Sequence, residues 1–287
     1  MSAPLARLLV TCPDAPGIVA AVTAFLRNHG ANITALDQHS TDPEGGTFFL
    51  RAEFTLPGGA DAGAGLEPAF GRVVAEAFAM GWRVDHAAPP KRVAVMASRV
   101  DHALLELLWL WRRGELDAEV PLVVSNHDDL RAEVERFGVP YHHVPVTAAT
   151  KAEAEARALA LFDDAGVDLV VLARYMQVLT PAFVDRYPRR IINIHHSFLP
   201  AFAGADPYRQ AFERGVKVIG ATAHYVTADL DEGPIIDQGV ARVTHRQSVA
   251  DLKRVGQSIE RDVLARAVRW HLEGRVLVHG NKTVVFA

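Results

Sequence analysis

The sequence predicts a two-domain α/β protein, with a small ferredoxin-like βαββαβ domain followed by a doubly wound, Rossmann-like domain whose sheet is mostly parallel. The chain has 287 residues, more than one average domain, and the proline-containing stretch AAPPKR separates two differently patterned parts. Before this stretch, strand and helix patterns follow one another as βαββαβ. After it, continuous apolar strands alternate with helices, which is typical of a parallel sheet covered on both faces. We therefore predict a first domain over residues 1–86, a linker over 87–92 and a second domain over 93–287.

The first domain shows each element by its own pattern. The helix is marked by one apolar face and by Gly30, a suitable stop. The third strand follows a polar, glycine-containing turn and is rich in β-branched and aromatic residues. The predicted elements are a strand over 5–12, a helix within 13–30, strands over 33–40 and 47–56, a helix over 65–81 and a strand over 82–87.

The second domain continues with nearly all-apolar strands, each followed by a helix. A long amphipathic helix ends at Gly274, and a hairpin around Gly280 and Asn281 closes the chain. The predicted strands lie at 93–98, 118–126, 141–146, 167–175 and 189–200, and the predicted helices at 102–114, 128–138, 151–166 and 248–274.

Composition excludes several classes of protein. A net charge of −4 gives no general attraction to nucleic acid or to an anionic membrane. The single cysteine, Cys12, cannot form an intramolecular disulfide, which is compatible with a reducing compartment. The first residues are too soon interrupted by polar groups for a signal peptide, and no run reaches the ~18 apolar residues of a spanning helix. We expect a cytoplasmic protein with no nucleic-acid or membrane partner.

A polar cluster marks the carboxyl end of the strand RRIINIHHSFLP, where open α/β sheets bind ligands. Since side chains alternate along a strand, Asn193 and His195 face one way, while Ile192 and Ile194 face the other. If the strand extends further, His196 points away from His195. An amide can donate to a developing oxyanion and an imidazole can transfer a proton, so the pair suits acyl chemistry.

A second polar group, TADLDEG, follows the histidine-bearing strand that contains His224. Asp229, Asp231 or Glu232 could each orient His195, and spacing does not choose among them. Two other interpretations remain open at this point. The Asn–x–His pair could belong to a capped loop, and the histidines near carboxylates could form a metal site, although no established metal-ligand spacing is present.

The stretch from Asn193 to Gly233 resembles the folate-dependent formyltransferase superfamily, and the resemblance extends over about 92–250. The residues that carry it are Asn193, His195, Ser197, Leu199, Pro200, His224, Asp229, Asp231 and Gly233. Within the superfamily the chain is most similar to members that hydrolyse 10-formyltetrahydrofolate to tetrahydrofolate and formate, which supply formate for purine biosynthesis and balance the folate pools. The resemblance implies Asn193, His195 and Asp231 as catalytic residues, with no metal and no cofactor.

The resemblance also implies two binding sites. The folate would contact the loop RYMQVLTP and the acidic turn, through Met176, Gln177, Val178, Leu179, Thr227, Ala228 and Asp229. The first domain resembles an ACT domain over about 5–86, a regulatory module that often binds amino acids and pairs with other copies. We therefore expect a homo-oligomer and an amino-acid effector site at Asp14, Gly17, Ile18, Asn32 and Ile33.

The sequence departs from the family pattern at two positions, and it leaves two alternative functions to consider. Asp206 stands where the pattern has lysine, and Ala103 follows His102 where it has cysteine. Formyl transfer to a phosphorylated sugar amine or to aminoacyl-tRNA would call for a glycine-rich phosphate loop or a basic surface with a further domain, and the sequence has neither. A catalytically silent amino-acid sensor is the other alternative, and the complete catalytic trio argues against it.

Overall fold

The computed structural model describes residues 5–42, 44–56, 65–87, 89–200 and 207–287. The chain splits into two compact units. The first unit extends to Pro90 and also includes 273–279 and 284–287, whereas the second comprises 91–272 and 280–283. The sequence had assigned the closing hairpin entirely to the second domain, so the two divisions differ at the end of the chain.

The first unit has the predicted βαββαβ order. Its four strands form an antiparallel sheet in the order β2-β3-β1-β4. The apolar face of α1 lies in the core, together with alternate residues of β1 and β3. The elements are β1 (Leu5–Pro13), α1 (Ile18–Asn28), β2 (Asn32–Ser40), β3 (Thr47–Thr55), α2 (Leu66–Phe70) and β4 (Gly81–His86).

The second helix of this unit is less regular than the sequence indicated. After α2 the chain continues as a π-helical turn over Gly71–Ala75 and a 3-10 turn over Glu76–Phe78. Phe70 packs edge-on against Trp82 with ring centroids 5.0 Å apart. The sequence pattern predicts a helix here, but it does not distinguish hydrogen bonding to the fourth residue from hydrogen bonding to the fifth.

The end of the chain joins the first unit through a small core of its own. Leu277 and Phe286 pack with Leu9 and Phe49. Arg51 is buried on β3 and donates through Nη2 to the carboxylate of Glu53 and to the backbone oxygen of residue 273, at 2.8 and 3.1 Å. A buried guanidinium needs such partners, and the returning chain supplies one of them.

The second unit contains the predicted sheet. Five of its strands run parallel in the order β10-β9-β5-β7-β8, and β11 and β12 extend it antiparallel beyond β10. The predicted doubly wound, mostly parallel arrangement is confirmed. The elements are β5 (Lys91–Ala97), α3 (His102–Arg112), β6 (Ala118–Glu119), β7 (Val123–Ser125), α4 (Arg131–Glu135), β8 (Tyr141–His143), α5 (Lys151–Asp164), β9 (Leu169–Ala173), α6 (Pro181–Val184), β10 (Ile191–His195), α7 (Pro207–Arg214), β11 (Val218–Tyr225), β12 (Ile235–Arg242) and α8 (Val249–Leu272). The chain ends in a hairpin of β13 (Val276–His279) and β14 (Lys282–Val285), most of which belongs to the first unit.

The segment AEVPLVVSN forms two short strands where the sequence predicted one. β6 and β7 both pair with β5, and Pro121 lies between them. Proline has no N–H to donate to a ladder, so it interrupts a strand inside a sheet. The linker is likewise shorter than predicted, because β5 begins at Lys91.

The helix α8 packs on β10, β11 and β12 and against α3 and α7. Its apolar stripe is buried except at Val249 and Val255, which are half-buried. Glu260, within the same stripe, is 1% exposed. This is a charged group that apolar periodicity could not place. α8 is the longest helix described, and no helix in the described ranges is long and apolar enough to cross a membrane.

Gly256 lets α8 approach Tyr208 closely, and replacing it with alanine is expected to destabilise the protein. A Cβ at this position would lie 2.0 Å from Tyr208 Oη, so the ring would have to move and lose its 2.6 Å hydrogen bond to Glu260. Overpacking of this kind costs about 1–3 kcal/mol, more than the ~1 kcal/mol that alanine gains over glycine in a helix. A lower thermal midpoint than that of wild type, with Ser258→Ala on the exposed face of α8 as control, would support this; an equal or higher midpoint would contradict it.

Candidate active site

The strand β10 positions the first two predicted site residues. Ile192 and Ile194 are buried, and Asn193 and His195 alternate with them, as predicted. β10 ends at His195, so His196 lies beyond the strand and does not follow its alternation. The rings of His195 and His196 are 5.2 Å apart.

The antiparallel neighbour β11 brings His224 beside Asn193. The two residues are partners in the register, and Asn193 Nδ2 donates to His224 Nε2 over 3.2 Å. His224 Nδ1 in turn donates to the backbone oxygen of Tyr225 over 2.9 Å. Both contacts fit one neutral tautomer, with the proton on Nδ1. This chain of bonds fixes the orientation of the Asn193 amide and leaves its second N–H available.

The turn between β11 and β12 delivers Asp231. Its Oδ2 lies 3.2 Å from His195 Nδ1, and its Oδ1 lies 3.6 Å from His224 Nε2. Asp231 has φ of 58°, in the left-handed region. A Cβ on Gly233 would lie 1.7 Å from the backbone oxygen of Tyr225, so this close return of the turn onto β11 requires glycine. Geometry thus selects Asp231 from the three carboxylates that spacing left open.

The charges of the site follow from these contacts. The His195 imidazole beside it holds the pKa of the Asp231 carboxyl well below its usual range, so Asp231 is ionised at neutral pH. Burial, reinforced by the nearby Arg174 and His195, lowers the pKa of His196 to about 4, so His196 is neutral. His195 Nε2, on the ring edge opposite Nδ1, is buried and has no hydrogen-bond partner among the described residues.

A cavity of about 340 Å³ opens over these groups. This is the size of a small-molecule site. Its rim carries three large apolar side chains that are more than half exposed: Met176 at 56%, Val178 at 51% and Leu230 at 63%. The lining residues are Leu172, Arg174, Tyr175, Met176, Gln177, Val178, Leu179, Asn193, Ile194, His195, His196, His224, Val226, Thr227, Ala228, Leu230 and Asp231.

The structure brings the predicted catalytic residues together with six of the seven predicted folate contacts. Asp229 is the exception, because it is not in the cavity lining; its backbone oxygen accepts a hydrogen bond from the Thr227 hydroxyl over 3.1 Å. Asp206, the departure from the family pattern, lies outside the described residues. No group of three or more histidine, cysteine or acidic side chains in the described ranges is arranged to hold a metal ion.

The predicted effector residues lie in the first unit. Asp14 accepts a hydrogen bond from the Ser40 hydroxyl over 2.5 Å, and Gly17 caps α1 with φ of 95°. Ile18 is 2% exposed within the core, so its side chain does not face solvent. Asn32 and Ile33 begin β2, exposed and half-buried respectively.

Sequence reasoning did not assign four further residues around the cavity: Arg174, His196, His224 and Glu260. His224 had been noted as one of the residues that carry the family resemblance, but without a role of its own. Its contact with Asn193 depends on the antiparallel register of β10 and β11, for which the sequence gives no signal. Glu260 Oε2 accepts from His102 Nε2 over 2.8 Å and lies 3.5 Å from Arg174 Nε. His102 is thereby placed beside the cavity wall rather than on the cavity itself.

Comparison with protein families matches both parts of the chain. Residues 91–268 match the family model described as formyl transferase, and residues 6–57 match the model described as ACT domain. The chain is similar to a formyltetrahydrofolate deformylase of Bacillus subtilis, with 57% identity over 280 residues that cover 98% of this chain and 93% of the relative.

Comparison with solved structures also finds formyltetrahydrofolate deformylases. A formyltetrahydrofolate deformylase from Pseudomonas syringae is similar with a TM-score of 0.93 and 50% identity, covering 100% of this chain and 96% of the other. A glycinamide ribonucleotide transformylase from Symbiobacterium toebii has a TM-score of 0.66 and 34% identity, covering 70% of this chain and 97% of its own. The likeness to the transformylase thus leaves part of this chain unmatched.

Proposed function

The chain belongs to the formyltetrahydrofolate deformylases, and we propose that it hydrolyses 10-formyltetrahydrofolate with Asn193, His195 and Asp231 as its catalytic residues. It is an enzyme, a hydrolase of a C–N bond. The observation that carries this conclusion is the match to deformylases over both units of the chain. The grouping of an amide, an imidazole and an ionised carboxylate in one cavity supports the assignment of residues.

In the proposed reaction, the oxygen of water bonds to the formyl carbon and the carbonyl oxygen becomes an oxyanion. The free N–H of Asn193 donates to that oxyanion, since its other N–H is held by His224. The C–N bond then breaks, the nitrogen takes a proton, and tetrahydrofolate and formate are released with one proton. Water and side chains of this chain suffice for these steps, so the proposal includes no cofactor and no metal.

His195 is the proposed proton carrier, and Asp231 is its orienting partner. A carboxylate with a strongly lowered pKa is a weak base, so Asp231 acts mainly by fixing the His195 ring and stabilising its charged form. His195 Nε2 is the ring atom left for proton transfer or for donation to the oxyanion. Asp231 also helps to orient the attacking water.

The folate is proposed to cover the apolar rim of the cavity. Met176, Val178 and Leu230 are large side chains whose exposure is unfavourable unless a ligand shields them. Gln177 and Thr227 add polar groups at the same rim. An aromatic pteridine presents apolar faces and polar edges, which this lining complements.

The direct test of the function is incubation of the purified protein with 10-formyltetrahydrofolate and no amine. Formate and tetrahydrofolate are expected in equal amounts, because water is the acceptor. A parallel reaction with glycinamide ribonucleotide, a phosphorylated sugar amine, should give the same formate yield and no formylated amine. Absence of formate release, or release that depends on the amine, would exclude the hydrolase function.

We further propose that the first unit binds a free amino acid and that it pairs with other copies of the chain. The segment before α1 supports the first part, since backbone N–H groups at Gly17 and nearby are suited to a carboxylate. Calorimetric titration with single amino acids should give binding heat for at least one of them, and absence of heat for all of them would exclude the effector.

Light scattering should report a mass above that of one chain, and the mass of a monomer would exclude pairing with other copies.

The physiological part of the proposal is supply of formate for purine biosynthesis and balance of the folate pools, in the cytoplasm. The buried free thiol of Cys12 is compatible with a reducing compartment.

A further inference from the structure

Arg174 is a cavity-lining residue to which the proposed reaction assigns no role. It directly follows β9 with φ of 62°, and its side chain is 14% exposed. Its Nη1 atom is buried and has no hydrogen-bond partner among the described residues, whereas Nε faces the Glu260 carboxylate at 3.5 Å. A buried guanidinium donor is costly to leave unpaired, so the unpaired Nη1 indicates a ligand that is anionic or strongly accepting.

Glu260 anchors this guanidinium from behind. It lies on α8, is 1% exposed and does not line the cavity. Its two oxygens accept from Tyr208 Oη over 2.6 Å and from His102 Nε2 over 2.8 Å, and Arg174 Nε lies 3.5 Å away. The carboxylate is therefore satisfied by the Tyr208 hydroxyl and the His102 ring as well as by Arg174. It contacts the guanidinium through Nε, which leaves Nη1 unpaired.

Arg174 differs in charge from the other side chains around the cavity. Arg174 is the one arginine or lysine in the described cavity lining. Asp231 is ionised and His196 is neutral, for the reasons given above. Formate is an anion and must form beside the Asp231 carboxylate, which repels it. A fixed cation in the same cavity would offset that repulsion.

We propose that Arg174, positioned by Glu260, forms a carboxylate-binding subsite that holds the formate product in the cavity. The proposal deepens the hydrolase function and rests on it. A planar guanidinium matches a carboxylate through two parallel N–H donors, so the subsite would take formate and other small monocarboxylates rather than chloride.

Two carboxylates are available in this reaction, formate and the glutamate end of the folate. Product inhibition separates them. Inhibition by sodium formate and by tetrahydrofolate is measured for wild type, Arg174→Met and Arg174→Lys, with sodium chloride at equal ionic strength. Arg174→Met is expected to raise the formate inhibition constant about tenfold or more, as for loss of a charged hydrogen bond, while tetrahydrofolate inhibition and the substrate KM change little. The formate inhibition constant of Arg174→Lys should lie between those of wild type and Arg174→Met, since lysine keeps the charge but lacks the planar pair of donors.

Arg254→Met, which removes an exposed arginine from α8, is the matched control and should behave as wild type. Binding of ¹³C-formate to protein saturated with tetrahydrofolate, followed by NMR, repeats the comparison without turnover, and thermal melting identifies a variant that fails to fold. Unchanged formate inhibition and binding in Arg174→Met, or no formate effect beyond that of chloride in wild type, would overturn the proposal. A rise in KM and in the tetrahydrofolate constant alone would assign Arg174 to the folate instead. Failure of the hydrolase function itself is distinct, because wild type would then release no formate before any inhibitor is added.

Discussion

Replacing Asp231 by asparagine is expected to lower kcat by about 10³- to 10⁴-fold, the effect seen when a carboxylate that orients a catalytic histidine is lost. The amide has the same size and still reaches His195 Nδ1, 3.2 Å away in wild type. It carries no charge, however, so it stabilises neither the charged imidazole nor the required tautomer. The KM should change little, because Asp231 acts on the reacting atoms. Formate release under single-turnover conditions measures the effect on chemistry directly.

The same variant has a predicted pH signature in stability. The pKa of Asp231 is lowered in the folded protein, so its contribution to stability is present above the unfolded-state pKa of about 3.9 and is lost as pH falls. Asparagine does not titrate, and it tolerates the left-handed backbone well. The melting temperature of wild type relative to Asp231→Asn should therefore fall as the pH is lowered below about 4, towards the folded-state pKa.

The control for both measurements is Asp163→Asn, which removes a surface carboxylate paired with Arg186. It should keep wild-type kcat. If Asp231→Asn retains a kcat within a few-fold of wild type, Asp231 is not the orienting group, whatever its effect on melting.

The second large effect is expected for Asn193→Ala, with kcat reduced about 10²- to 10³-fold, as for loss of one oxyanion donor. The change removes the amide that donates to His224 Nε2 over 3.2 Å and, in the proposed reaction, to the oxyanion. The substrate KM should stay within a few-fold of wild type, because the donor acts mainly in the transition state. Initial rates of formate release over a range of substrate concentrations separate kcat from KM.

Asn28→Ala, at an exposed position of α1, should leave both constants unchanged. A parallel loss of kcat and of the melting temperature in Asn193→Ala would point to a structural role for the amide. A selective loss of kcat in a stable protein supports the oxyanion role, and near-wild-type turnover would exclude it.

Strand alternation was sufficient to place Asn193 and His195 on one face of β10, because a two-residue period leaves a single choice once the strand is recognised. Strand alternation could not identify the carboxylate that contacts His195. Asp229, Asp231 and Glu232 lie in one irregular turn, where direction depends on local φ angles rather than on a period. The positive φ of Asp231 and the close approach at Gly233 decide which carboxylate reaches His195.

Contacts between distant elements were beyond sequence reasoning for the same physical reason. The pairing of Asn193 with His224 depends on the register of two antiparallel strands, and a shift of one residue would have turned His224 to the other face. Glu260 stands within an apolar helical stripe, and its partners come from α3, from α7 and from the loop after β9. Such a buried carboxylate is recognisable only when its donors are seen around it.

The backbone angles of Arg174 and Asp231 have a consequence for any attempt to make this enzyme more heat-resistant. Both residues lie in the left-handed region, which costs a side-chain-bearing residue roughly 1–2 kcal/mol, and glycine would remove that cost. Glycine there would also remove the charged groups that serve the cavity, and at Asp231 the ion pair with His195 that contributes to stability, so neither position is suitable for stabilising the enzyme. Ala79 and Arg189 share the same backbone conformation but do not line the cavity. Glycine at these two sites offers the same relaxation of the backbone and leaves the reacting groups in place.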